Sequence, residues 1–171
     1  MSKNFLGLLL GGVAVSLGLS SGLVQAQQQV SDAQVTAMVE ALRKAAPQTG
    51  KQNDGLYSQW QVKPETLKGW ARTCLKKEVT PTQFENSPET ARQVVSCITR
   101  RELNNQFRTT KNNETATVNG VACWWMTGNY TGCNNGFTAA YVKKVSQFYQ
   151  QERAKPAASP STAPTKSGTS N

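Results

Sequence analysis

Four cysteines, Cys74, Cys97, Cys123 and Cys133, constrain this chain more than any other feature; they are spaced 23, 26 and 10 residues apart. None forms the close Cys-x-x-Cys pair of a zinc site. What they become depends on the compartment, and the start of the chain speaks to that. Lys3 is the only charge from Met1 to Ala26, an apolar run extends from Phe5 into Leu19, and Val24-Gln25-Ala26 offers a signal peptidase its small residues. These are the three regions of a secretory signal. The apolar run is short for a membrane span, so none is expected after cleavage. Residues 1–26 therefore read as a signal peptide. The mature chain is expected in the periplasm or outside the cell, where thiols oxidise in pairs.

Four cysteines allow three pairings. The preferred one joins Cys74 to Cys97, stapling two consecutive helices, and Cys123 to Cys133, closing an aromatic loop. Full pairing leaves no nucleophilic thiol. The chain also has no histidine. That removes the usual general base and the commonest metal ligand, and with them Ser-His-Asp and Cys-His hydrolases and most zinc enzymes. No catalytic residue, metal or cofactor is expected on these grounds.

Residues 27–153 are the size of one domain. Residues 154–171 consist of Pro, Ala, Ser, Thr, Gly, two lysines and a terminal asparagine, a composition that cannot bury a core and reads as a disordered tail. The whole chain carries a net charge of +9, and only Lys3, Lys155 and Lys166 of its 19 cationic residues lie outside the domain. A cationic exported protein is drawn to anionic polymers such as phospholipid headgroups or acidic glycans. The signal directs it away from nucleic acid, and no nucleic-acid-binding motif is present.

Periodicity points to helices. Ser31 and Gln34 form a capping box, with Val30 and Val35 as a hydrophobic staple, and Val35, Met38, Val39 and Leu42 then mark one apolar face up to Pro47. Leu56 to Val62 reads as extended. Pro64 opens a second helix, in which Leu67, Trp70, Ala71 and Cys74 share a face and Lys68, Arg72 and Lys76 another; Thr80-Pro81 breaks it. Ser87-Pro88-Glu89 opens a third helix, which fades near Thr110. Pro-Glu-Thr precedes the cysteine in both of these helices, but two copies do not make a repeat. Thr115 to Val118, Asn119-Gly120 and Val121 to Trp124 read as a β-hairpin on a type I′ turn. Strand alternation would then turn Trp125 inward and Trp124 toward water. A last helix runs from about Thr138 to Arg153. The expected fold is mainly α: a small disulfide-stabilised four-helix domain with one short β-hairpin before the last helix.

Two constellations are candidates for function. In the loop between Cys123 and Cys133, Trp124 and Tyr130 offer flat contact area beside amides and hydroxyls, suited to a sugar ring, a peptide or a lipid interface. The basic residues Lys68, Arg72, Arg100 and Arg101, with Lys76, Lys77, Arg92 and Arg108, would form a cationic patch if their helices lie side by side. The expected role is non-catalytic binding or structure, engaging an anionic polymer, a glycan or a periplasmic protein. The alternatives are a subunit or inhibitor of a periplasmic complex, and a lysozyme-like hydrolase. The last would need a glutamic acid in an apolar pocket. Glu102 follows two arginines, Glu40 turns away from the apolar face, and Glu65 and Glu89 stand at helix starts.

Overall fold

The computed structural model describes residues 29–47 and 54–156, which form six helices. They are α1 (Asp32–Ala45), α2 (Pro64–Leu75), α3 (Pro81–Asn86), α4 (Pro88–Thr109), α5 (Glu114–Thr127) and α6 (Gly136–Arg153). The signal peptide expected over residues 1–26 lies outside the described residues, as does the expected tail beyond Pro156.

Four helices close a ring of contacts: α1 packs on α4, α4 on α5, α5 on α6, and α6 back on α1. The core lies inside this ring, with Met38, Leu42, Val94, Val95, Val118, Val121 and Val145 fully buried. Helices α2 and α3 lie outside it, against α4. The cysteines pair locally. Cys74, in the last turn of α2, is at disulfide distance from Cys97 in α4, and Cys123 in α5 from Cys133, with Cα separations of 5.9 and 5.8 Å.

Local chemistry explains most helix ends. Ser31 accepts the Gln34 backbone N–H at 3.2 Å while the Gln34 side chain accepts the Ser31 N–H at 2.8 Å, completing the capping box of α1. Ser87 caps α4 ahead of Pro88 by accepting the Thr90 N–H at 3.3 Å, without a reciprocal box. The second helix ends at Leu75, with Lys76 in the left-handed conformation, before the break expected at Thr80-Pro81; that pair instead starts another helix, Thr80 capping α3 with Gln83 as its box partner.

The expected hairpin is not formed. Its residues build α5, no strand occurs among the described residues, and six helices replace the expected four. Asn113 caps the helix by accepting the Ala116 N–H at 2.9 Å, and Gly128, at φ 78°, closes it in the left-handed conformation. The β-branched residues and the Asn-Gly pair favour a hairpin locally, but burial outweighs them. Thr117, Val118, Val121 and Ala122 lie on one helical face and are buried. Gly120 meets α4, where an added Cβ would come within 3.0 Å of Gln106 Oε1. Its missing side chain serves a close helix crossing, not a turn.

The Leu56–Val62 segment holds only an isolated antiparallel bridge between Tyr57 and Val62. It is pinned from two sides. The Ser58 N–H donates to Glu85 of α3, and the buried Trp60 donates its indole N–H to the Val39 carbonyl of α1 at 2.9 Å.

Candidate functional site

All four tryptophans of the chain, Trp60, Trp70, Trp124 and Trp125, line a single groove of about 590 Å³. The buried residues Trp60, Val62 and Tyr141 form its floor, and Trp70, Trp124 and Trp125, partly buried, its walls. Each element contributes for a local reason. The pinned loop supplies Trp60. The i, i+4 spacing of Thr66 and Trp70 sets both along one side of α2. The last turn of α5 carries Trp124 and Trp125, and α6 supplies Tyr141.

The rings touch. Trp70 stacks on Trp124 with centroids 6.0 Å apart and planes 21° apart, and approaches Trp125 at 5.0 Å. Trp124 in turn stacks on Tyr130 at 6.3 Å and 20°. Trp70, Trp124 and Tyr130 thus make a row of nearly parallel rings. On a helix, Trp124 and Trp125 are not on opposite faces, so the contrast expected from strand alternation does not apply; both are partly buried.

The bond between Cys123 and Cys133 bends the chain back onto α5 and brings Tyr130 to the row. The Tyr130 hydroxyl donates to Oε2 of Glu102, a buried α4 residue whose Oε1 accepts the Arg101 Nε at 2.5 Å. Burial, reinforced by the bond to Glu102, pushes the Tyr130 phenol up to about 12. Its hydroxyl is therefore committed to the scaffold, and Tyr130 buttresses Trp124. Glu102 does not line the groove.

The basic residues are arranged otherwise. Arg72 pairs with Glu78, Arg92 with Glu40 at 2.6 Å, Arg100 with Asp32, and Arg101 with Glu102. Lys68, Lys76 and Lys77 are exposed. Four of the expected patch arginines thus carry their own counter-charge; none of the basic residues singled out from sequence lines the groove, although Arg92 lies over the ring of Trp60 at 5.6 Å. The charged residues lining it are Lys63 and Glu65, one of each sign. Glycoside hydrolysis ordinarily uses two flanking carboxylates, and the groove lining presents one. Among the described residues no group of three or more histidine, cysteine or acidic side chains could hold a metal ion, and no helix is long and apolar enough to cross a membrane.

The structure therefore brings together Trp124 and Tyr130, as singled out from sequence, and adds Trp60, Trp70 and Tyr141. The available signal was the small number of tryptophans: two flank the second helix start and two end the fifth helix, but nothing local links those segments. Comparison with protein-family models, with curated proteins and with solved structures finds no match to this chain.

Proposed function

We propose that the protein is an extracytoplasmic binding protein that holds a glycan-bearing component of the cell envelope in the tryptophan-lined groove. The convergence of all four tryptophans on one groove carries this reading. Pre-positioned aromatic faces bind at low entropic cost, because little is ordered when a ligand arrives. The leader at the start of the chain supports the location, and two disulfides without a membrane-crossing helix among the described residues are compatible with it. The self-paired arginines shift the weight from charge to ring contact. The exposed lysines contribute a diffuse attraction that is screened at physiological salt.

The test is retention of the mature protein on isolated envelope material. Trp124→Ala should weaken retention roughly tenfold or more, as loss of a central aromatic anchor does. Raising salt should weaken it only slightly. Retention indifferent to both Trp124→Ala and Trp70→Ala would remove the reading.

A further inference from the structure

The chain contains two Asn-Gly pairs, Asn119-Gly120 and Asn135-Gly136. An asparagine before glycine is open to spontaneous loss of its side-chain amide, because no Cβ keeps the following backbone nitrogen from the side-chain carbonyl carbon. The fold treats the two pairs oppositely. Asn119-Gly120 lies inside α5, where Gly120 is buried against Gln106 and its N–H belongs to the helical ladder. Asn135-Gly136 stands at the start of α6, and both residues are exposed. Asn135 is extended, at φ −145° and ψ 169°, and its side chain makes no capping bond. Gly136 is the first helical residue, so its N–H is among those a helix leaves without an internal partner. No backbone acceptor takes it up among the described residues. Two long bonds hold the Asn135 carbonyl, from the Ala139 N–H at 3.2 Å and the Thr138 hydroxyl at 3.1 Å, and both belong to the first turn, where helices fray. The start of α6 is also chemically unfinished: it alone among the six helices has neither a side-chain cap nor an acidic residue in its first turn.

We propose that Asn135 is a modification site, which loses its side-chain amide spontaneously and becomes an acidic cap for α6, while α5 keeps Asn119 intact. The Gly136 backbone nitrogen gives up its proton and bonds to the side-chain carbonyl carbon of Asn135. The bond from that carbon to the amide nitrogen breaks, and ammonia leaves with the proton. Water then opens the cyclic imide at either carbonyl, returning a hydrogen to the Gly136 nitrogen and leaving aspartate or its β-linked isomer. Nothing is oxidised or reduced, and water is the only co-reactant. Either product places a carboxylate at the positive end of the helix dipole, beside N–H groups that have no partner. Aspartate does so within the native backbone, whereas the β-linked isomer lengthens the main chain by one carbon between Cys133 and the helix.

The test incubates the mature, oxidised protein in mildly alkaline buffer and follows conversion by mass spectrometry of its tryptic peptides, with fragmentation to assign the position. No lysine or arginine lies between Lys111 and Lys143, so both pairs fall on one peptide and each calibrates the other. Asn135 should convert at least about tenfold faster than Asn119, the factor that even a modest cost of locally opening α5 imposes. Reduced protein in urea should lose that contrast, with both asparagines converting at similar rates. Asn135→Asp, the product made genetically, should melt about 1–4 °C above the parent, and the gain should shrink in high salt. Absence of conversion at Asn135 in the folded protein, or a rate no greater than that of Asn119, overturns the site. A contrast that persists unchanged in urea assigns it to the neighbouring residues and overturns protection by α5. An Asn135→Asp variant that melts no higher than the parent overturns the capping role.

Discussion

Helices α1 and α2 are close in length, 14 and 12 residues, and both begin with favourable helix-start chemistry, yet they are held in place differently. Helix α1 buries seven residues, among them Met38, Val39 and Leu42, between α6 and α4. Helix α2 buries only Leu67 and Ala71, has no side-chain cap at Lys63, and ends at Lys76 in the left-handed conformation at φ 55°. What α2 lacks in burial is offset by the bond from Cys74 to Cys97 and by the contacts of Trp70 with Trp124 and Trp125. A helix that walls an open groove cannot bury the face it turns to that groove. The difference teaches that the ring is a scaffold stabilised by area removed from water, whereas the groove wall relies on a covalent link.

The largest expected effect lies on the α1 side. Leu42→Ala should cost about 4 kcal/mol in denaturant unfolding, since a fully buried leucine leaves a cavity as well as lost transfer energy. A cost below about 1 kcal/mol would break the contrast by showing that α1 is not a core element. Next is the paired substitution Cys74→Ser with Cys97→Ser, which frees a 23-residue separation and should cost about 3 kcal/mol. It should also change the fluorescence of the Trp70–Trp124 stack before global unfolding; a single transition, identical by fluorescence and circular dichroism, would show that α2 needs no separate fastening. Lys76→Gly sharpens the same point with the opposite sign. It relieves a non-glycine residue at positive φ and should stabilise by about 1 kcal/mol, read as a shift in urea midpoint.

The smallest effect is electrostatic. Glu40 of α1 is pushed up by burial, but hydrogen bonds from Arg43 and Arg92 outweigh that and hold its carboxyl below the ordinary value of 4.5. A carboxyl depressed on folding adds stability that is present above the unfolded value and fades as pH falls through the folded one. The parent should therefore exceed Glu40→Gln by under about 1 kcal/mol at neutral pH, and the gap should close in acid. A gap that persists in acid would assign the effect to packing.

The scaffold was more legible in the sequence than the site. Capping boxes and proline starts are local, so the starts of α1, α2 and α4 could be read from a few adjacent residues. Helix α5 could not, because its decisive partner, Gln106 facing Gly120, is distant in sequence and the local preferences of its residues point to a strand. Pro81 reads as a breaker but acts as a starter, the first residue of α3, and Thr80 with Gln83 reveals that role. The groove joins residues from Pro47 to Tyr141 through tertiary packing alone. Trp124 and Tyr130 were accessible because one disulfide encloses them, whereas Trp60 and Tyr141 carry no local mark of a shared cavity.

The two cystines have a further consequence for maturation. One fastens the helix bearing Trp70 to α4, and the other brings Tyr130 behind Trp124, so each side of the groove is anchored by a cystine. A newly synthesised copy with its thiols still reduced would lack both fasteners, so oxidation sets the order of the tryptophan row as well as the stability of the fold.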